Sequence, residues 1–377
     1  MDNSTFDPTN VDLDTADPTQ IICYLYAGGN DYDGRLGARI SALFVILIVS
    51  TYATFFPVLA TRVKRFHIPR YVYLFARYFG AGVIIATAFI HLLDPAYDEI
   101  GPSSCVGMTG GWAVYSWPPA IALTSIMAIF LLDFFAEWYV EGKYGHSAVH
   151  PHHDVEHTVT AGGTAASDAT HDDGNGHGNN QDLESAHQSR SVSEKKLDVD
   201  ELDVLSGSSI EMERAFHEQI AAFLILEFGV IFHSVIIGLN LGVAGEEFAQ
   251  LYPVLVFHQS FEGLGIGARL SAIPFPHRLR WMPWALCTAY GLTTPIAIAI
   301  GLGLRTTYNG GSFTANVVSG VFDSISAGIL IYTGLVELLA RDFLFNPNRT
   351  RDKRRVLSML FSLLLGTGVM ALLGKWA

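Results

Sequence analysis

The sequence predicts an all-α membrane protein with eight transmembrane helices and both termini on the extracytoplasmic side. Half of its 377 residues are hydrophobic and only 16% are charged, whereas charged residues make up about 25% of a typical soluble protein. A spanning helix needs about 20 mainly apolar residues, and eight segments meet this condition. Lys and Arg are concentrated in alternate connections between these segments, which fixes the predicted orientation.

The eight predicted helices are separated by polar connections, and most contain a Gly, a Pro or one polar residue. Such interruptions are tolerated in lipid where neighbouring helices or a cavity satisfy the freed backbone groups. We therefore expect the bundle to pack around a polar interior. The segments lie near residues 40–60, 72–94, 118–140, 215–241, 250–270, 282–304, 315–340 and 355–376.

The connections alternate in charge along the chain. The first, "TRVKRFHIPR", is basic, while the second, "DPAYDEIGPSSCVGMTGG", contains no Lys or Arg, and this alternation continues to the last connection. Because short cytoplasmic connections collect Lys and Arg, the odd ones are predicted to face the cytosol. The predicted division is an extracytoplasmic acidic tail (1–38), helices 1–3 (39–140), a cytosolic loop (141–213) and helices 4–8 (214–377).

The third connection, residues 141–213, is long, polar and rich in Ser, Gly, Asp and His. Its few large apolar residues cannot bury a core, so we expect it to be disordered. Histidine-rich tracts favour weak, exchangeable metal binding, and a regulatory role is one interpretation, with solvated low-complexity sequence as the alternative. The loop histidines are His146, His150, His152, His153, His157, His171, His177 and His187.

The chain has three cysteines, too few for a disulfide framework, and no CxxC motif. Cys23 and Cys105 both fall on the predicted extracytoplasmic side, where an oxidising environment permits a disulfide. Pairing and a coincidence of position both remain open at this stage.

The apolar stretch "FHSVIIGLNL" contains one histidine, His233, and the next helix supplies partners for it. His258 and Glu262 are four residues apart and so project from one face of a helix. The connection "GVAGEE" is centred midway between His233 and His258. At 1.5 Å per residue, both histidines lie about 13 Å below the outer turn, at nearly the same depth. The sequence therefore places His233, His258 and Glu262 together.

Two imidazoles and a carboxylate form a metal site suited to Zn²⁺ or Fe²⁺ rather than to Ca²⁺ or Mg²⁺. Three ligands leave a coordination position open, as a transport site requires, since the ion must also be released. Ser234 and Gln259 directly follow the two histidines and are candidates for further ligands or supporting hydrogen bonds. The alternative is a hydrogen-bonded cluster that locks the bundle.

His91 and Asp94 are three residues apart at the outer end of helix 2, close to a connection without Lys or Arg. Such a cluster would concentrate cations at an entrance, although residues at a membrane surface need no special role. Glu227 in helix 4 lies on about the same face as Ser234, nearer the cytosol, and is a candidate exit residue. For the remaining intramembrane acids we favour structural pairs over exit ligands: Asp133, Glu137, Asp323 and Glu337.

These motifs resemble the ZIP (Zrt/Irt-like) family of metal transporters. "LEFGVIFHSVIIGLNLG" followed by "FHQSFEGLGIGARL" is similar to the paired helix 4 and helix 5 signature of that family, and "GAGVIIATAFIHLLDPAYDEIG" is similar to its helix 2. The resemblance runs from about residue 38 onward and includes the His-rich loop, in the manner of fungal plasma-membrane zinc-regulated transporters. It implies import of Zn²⁺ through His233, His258 and Glu262, with His91 and Asp94 at metal-path positions.

The chain departs from some family members at two positions. Those members hold two metal ions with a carboxylate four residues after the helix 4 histidine, where this chain has Ile237, and Asn or Asp where it has Gln259. We therefore expect one principal ion. The resemblance also implies a two-part bundle, in which one helix group carries the metal against a scaffold, and is compatible with a homodimer.

The predicted function is a plasma-membrane transporter that imports Zn²⁺ into the cytosol, with Fe²⁺ left open. An intramembrane zinc hydrolase is one alternative, but HExxH is absent because "HEQIA" ends in Ala and "HQSFE" has another order. A zinc-sensing receptor is a second, and the His-rich loop lacks a folded output module. We expect no enzymatic activity, no organic cofactor and no nucleic-acid partner; the expected partners are the divalent metal ion and membrane lipid.

Overall fold

The computed structural model describes residues 11–12, 14, 16–26, 32–63, 69–144, 199–345, 350 and 352–376. Within these ranges the chain forms helices and no β-strands, so the predicted all-α class is confirmed. The ten α-helices are α1 Pro18–Tyr26, α2 Leu36–Arg62, α3 Arg70–Ala86, α4 Asp94–Ile100, α5 Trp117–Tyr144, α6 Val199–Val243, α7 Phe248–Ala272, α8 Met282–Leu304, α9 Phe313–Tyr332 and α10 Lys353–Leu373.

Two π-helical segments continue α-helices without a break, a feature that the sequence did not predict. Thr87–Leu93 joins α3 to α4, and Thr333–Phe345 extends α9. Short 3₁₀ turns occupy Gly110–Trp112 and His277–Leu279. π-Helical turns are rare and are often found at functional sites, and the first of these segments contains His91.

Each of the eight predicted segments is helical, and seven of the helices are long and apolar enough to cross a membrane. The remaining one is α7, predicted near 250–270. Its apolar character is diluted by polar residues and by three glycines, and many of its side chains are buried within the bundle. The protein is therefore a multi-pass membrane protein in which the most polar of the predicted spans lies inside.

The helices extend into regions that the sequence assigns to the tail and to the cytosolic loop. α1 lies within the predicted tail 1–38, and α6 begins at Val199, inside the predicted loop 141–213. Residues 145–198, with all the loop histidines, are outside the described ranges. The extension of α6 contains good helix formers such as Glu, Leu and Met, which explains why the helix continues beyond its apolar part.

A disulfide joins Cys23 in α1 to Cys105 in the connection between α4 and α5, with the two Cα atoms 4.6 Å apart. It resolves the alternative that the sequence left open. We call this end of the bundle the disulfide end. Arg39, near the start of α2 at this end, contacts the connection between α6 and α7. That connection therefore lies at the disulfide end as well.

The spanning helices pack as two groups. In one group α2 packs against α7 and α8, and α6 packs against α8; in the other, α3 packs against α10 and α5 against α9. The groups meet where α7 contacts α3 and where α6 contacts α9. This arrangement is the two-part bundle that the family resemblance implies.

Glycines allow α7 to approach both groups closely. Gly265 faces Gly80 of α3, and a Cβ atom on either would overlap the backbone of the other. On the side of α2, a Cβ at Gly267 would overlap the carbonyl oxygen of Thr54. Lipid tails are as apolar as side chains, so helices in a bilayer associate largely through such close packing.

The guanidinium of Arg39 fastens α2 to the connection between α6 and α7. It is fully buried and donates hydrogen bonds to the carbonyl oxygens of Leu241 and Gly242, both at 3.2 Å, and to that of Ala244. Asp33 balances its charge at 2.8 Å. The ring centroids of Tyr32 and Phe248 lie 4.7 Å and 4.6 Å from Cζ of Arg39. These contacts fix α6 and α7 at one depth relative to α2.

We expect Gly267→Ala to destabilise the bundle, because its methyl group would press on the Thr54 backbone. Overpacking of this kind costs about 1–3 kcal/mol, so the thermal midpoint of the detergent-purified protein should fall by several degrees. Gly303→Ala is the matched control, since a Cβ at Gly303 of α8 meets no atom within 4 Å. Equal midpoints for the two variants would contradict the assigned contact.

The disulfide predicts the number of free thiols in the denatured, non-reduced chain. After denaturation without reductant, the chain without substitutions should react with one maleimide, at Cys287, because Cys287 is the cysteine outside the disulfide. Cys23→Ser and Cys105→Ser should each expose a second thiol, whereas Cys287→Ser should expose none. Intact-mass measurement after labelling checks the counts, and three labels on the native chain would exclude the disulfide.

Candidate metal site

His233 of α6 and His258 of α7 face one another inside the bundle. Their Nε2 atoms are 3.3 Å apart, and the two residues are 1% and 2% exposed. Two ligands bonded to a tetrahedral Zn²⁺ at about 2.0–2.1 Å are separated by about 3.3–3.4 Å. The spacing of the two nitrogens therefore suits a shared zinc ion.

Glu262 lies one turn further along α7 than His258 and is completely buried. Its Oε2 is 3.8 Å from His258 Nε2, and its Oε1 has no hydrogen-bond partner in the described part of the chain. The three predicted ligands are thus brought together, with the carboxylate set slightly wider than the imidazole pair. No group of three or more His, Cys, Asp and Glu side chains within the described ranges has the geometry of a complete metal site.

Tyr290 of α8 supports the carboxylate, and the sequence analysis missed it. Its hydroxyl is 3.0 Å from Gln259 Oε1 and 3.2 Å from Glu262 Oε2, so that one O–H is shared between the two acceptors. The residue is 1% exposed. A tyrosine in an apolar helix is too common to attract attention, and its role depends on how α8 is rotated against α7.

Ser234 and Gln259, the two residues that follow the histidines, are fully buried. Gln259 accepts a hydrogen bond from Tyr290. Within the residues that the structure describes, no partner is found for Gln259 Nε2, the hydroxyl of Ser234 or Nδ1 of His233. Buried polar atoms are normally hydrogen-bonded because leaving them unpaired is costly, so this cluster is chemically unlike a hydrogen-bonded lock.

His91 reaches the histidine pair from the opposite helix group. Its ring meets that of His258 edge to face, with centroids 4.8 Å apart, and its Nε2 lies 3.0 Å from the carbonyl oxygen of Met370. Asp94, three residues later at the start of α4, is exposed. His91 is buried and Asp94 is exposed, and a shared role of the two residues in a metal path stays a prediction.

The other intramembrane acids divide between two places. At the end opposite the disulfide, Arg341 binds Glu337 at 3.0 Å, Asp133 at 3.6 Å and also Glu137. These three acids therefore form the structural pairs that the sequence analysis favoured. Arg77 binds both oxygens of Asp342 at 2.8 Å in the same region.

Asp323 lies towards the disulfide end, where α9 packs against α4. It is 4% exposed, and neither its Oδ1 nor Oε2 of the neighbouring Glu99 has a hydrogen-bond partner in the ranges that the structure describes. Burial, with the nearby charge of Glu99, raises the pKa of Tyr308 in the loop before α9. These two acids are separate from the histidine cluster, and no ion pair of Asp323 is found among the described residues.

The candidate ligands of the His-rich loop are outside the described ranges. They are His146, His150, His152, His153 and His157. Metal binding by this loop stays a prediction.

Comparison with known proteins agrees with the predicted resemblance. The family model "ZIP Zinc transporter" matches residues 36–374. The chain is 58% identical over 377 residues to Zinc-regulated transporter 1 of Saccharomyces cerevisiae, covering 99% of this chain and 97% of that protein. It is 42% identical over 366 residues to Zinc-regulated transporter 1 of Schizosaccharomyces pombe, with coverage of 92% and 87%.

A third relative, Zinc-regulated transporter 2 of Saccharomyces cerevisiae, is 36% identical over 427 residues and covers 97% of this chain and all of that protein. No solved structure matches the chain. The family match and these identities extend over every spanning helix described above. The chain therefore belongs to the ZIP zinc transporter family.

Proposed function

We propose that this zinc transporter moves Zn²⁺ into the cytosol through a site formed by His233, His258 and Glu262. The observation that carries the proposal is the 3.3 Å separation of the two histidine Nε2 atoms beside a buried carboxylate. Imidazole nitrogen and carboxylate oxygen are ligands that Zn²⁺ accepts, and three of them leave a position open for exchange. A carboxylate charge that is costly in a dry interior is offset by a divalent ion.

The proposed orientation places the disulfide end outside the cell and the opposite end in the cytosol. All eight predicted segments then span the membrane, with α7 as the fifth, and both termini are outside. The Cys23–Cys105 disulfide supports this orientation because disulfides persist in oxidising compartments. Location in the plasma membrane follows from the family, and homodimerisation stays a prediction of the resemblance.

The same orientation gives a direction to the path. Exposed Asp94 stands at the outer side, where it can attract cations, and buried His91 lies between it and the histidine pair. His91 belongs to one helix group, whereas His233, His258 and Glu262 belong to the other. Movement of the groups relative to each other would therefore separate the principal ligands from His91, as alternating access requires.

Members of the ZIP family are transporters and not enzymes, which removes the hydrolase alternative. The predicted cargo is Zn²⁺ because the family model and the three relatives are all named for zinc. Fe²⁺ accepts the same ligands and is best tested as a competitor.

Uptake of ⁶⁵Zn into proteoliposomes tests the site. We expect His258→Ala and Glu262→Ala to reduce uptake to background, because each removes a ligand. His217→Ala and Glu246→Ala are matched controls that replace exposed residues of the same types and should retain native uptake. Fe²⁺ and Mn²⁺ as competitors rank the cargo. Native uptake by His258→Ala or Glu262→Ala would show that the ion takes another route.

Tyr290→Phe tests the support of the carboxylate. Loss of the hydroxyl frees Glu262 Oε2 to move, and removal of such supporting hydrogen bonds typically costs about 10–100-fold in metal affinity. We expect the half-saturating Zn²⁺ concentration to rise by about tenfold, measured from the concentration dependence of uptake. Tyr52→Phe on the lipid-facing side of α2 is the control. An unchanged half-saturating concentration for Tyr290→Phe would refute this role.

A further inference from the structure

Glu227 of α6 is a buried acid to which the proposed site gives no role. It is 4% exposed, and neither of its carboxylate oxygens has a hydrogen-bond partner among the described residues. A carboxylate in such a position is among the most costly groups to bury. Glu227 differs in this from Asp133, Glu137 and Glu337, each of which contacts the guanidinium of Arg341.

Helix geometry puts Glu227 level with Glu262. From the end of α6 at Val243, Glu227 is 16 residues back, or about 24 Å, and Glu262 is 14 residues from the start of α7 at Phe248, or about 21 Å. The corresponding depth of His233 and His258 is about 15 Å. The two carboxyl groups are therefore at similar depth, beyond the histidine pair as seen from the disulfide end.

Glu227 is buried within the bundle and lies within electrostatic range of Glu262. Its carboxyl group interacts electrostatically with that of Glu262, and both interact with Tyr290 of α8. The carboxyl group of Glu227 also interacts electrostatically with the thiol of Cys287, which is buried one turn before Tyr290. No Arg or Lys among the described residues pairs with either carboxylate. Two buried acids at similar depth, neither of them paired with an Arg or Lys of the described residues, are suited to binding a cation.

We propose that Glu227 and Glu262 bind a divalent cation at a second position, on the cytosolic side of the histidine pair, with Glu262 shared between the two positions. The inference rests on the proposed function and deepens it. The second position differs from the two-ion arrangement of other family members, which uses the residue four positions after the helix 4 histidine, here Ile237. Its ligands are oxygen atoms without imidazole.

The chemistry of this position suits release of the ion. Carboxylate oxygens alone hold Zn²⁺ less selectively than two imidazoles do. An ion that passes from the histidine pair to Glu227 keeps Glu262 as a ligand throughout, so it is never left without a charged partner in the dry interior. Conduction needs neighbouring sites of graded strength for this reason.

The experiment counts bound Zn²⁺ per chain in nanodiscs by equilibrium dialysis and metal analysis, with variants of the full chain compared with the native protein. Differences between variants cancel any contribution of the His-rich loop. Compared with the native protein, we expect Glu227→Gln to bind one ion fewer, and the double variant His233→Ala/His258→Ala also to bind one ion fewer. Glu262→Gln should bind two ions fewer, because Glu262 is a ligand at both positions. Asp323→Asn, a buried acid elsewhere in the bundle, is the control and should bind the native number.

An unchanged count for Glu227→Gln would overturn the inference, and would mean that the carboxyl group holds a proton instead. A loss of one ion in Glu262→Gln would overturn the sharing. Glu227→Met, which is similar in volume and lacks ligand oxygen, repeats the test if the Gln variant does not purify. Uptake by the same purified proteins reconstituted into proteoliposomes separates the two proposals, since the count is independent of transport: native counts without uptake would contradict the proposed function alone.

Discussion

The close approach of α7 to its neighbours is the constraint on which the rest of the structure depends. This helix carries His258 and Glu262, and a helix with such residues is stable in a bilayer if other helices shield its polar face from lipid. Gly265 provides contact with α3, and Gly267 with α2. Because the contacts involve backbone atoms on both sides, larger residues at these positions would hold the helices apart and open the site to lipid.

A second constraint concerns the position of α6 and α7 along their axes. The candidate ligands on the two helices can share an ion only if they lie at the same depth. The buried guanidinium of Arg39 satisfies three carbonyl oxygens at the end of α6 and in the connection to α7. Those carbonyl groups would otherwise be orphaned at a helix end. From this fixed end, helices of regular rise carry His233 and His258 to the same depth. Arg39 thus sets the relative depth of the proposed metal ligands from a position outside the site.

This common depth explains what could be predicted from the sequence. The depth of a residue in a helix follows from its number of residues from a short connection. The grouping of His233, His258 and Glu262 could therefore be predicted from spacing alone. Contacts between helices that are distant in sequence depend on rotation and lateral position, which spacing does not determine. The support of Glu262 by Tyr290 and the approach of His91 to His258 were missed for that reason. Apolar runs located the spans well, whereas α1 and the first turns of α6 had no such signal.

The distribution of buried charge separates the parts of the bundle that hold it together from the parts that can receive an ion. At the cytosolic end of the proposed orientation, Arg341 gathers acids from two helices, and removal of Arg341 would leave the buried carboxylate of Glu337 without its ion pair. Glu227 of α6 and Glu262 of α7 have no such cation among the described residues. The family's cargo carries two positive charges, which two carboxylates would balance. Charge neutrality is therefore an argument for the proposed sites between α6 and α7.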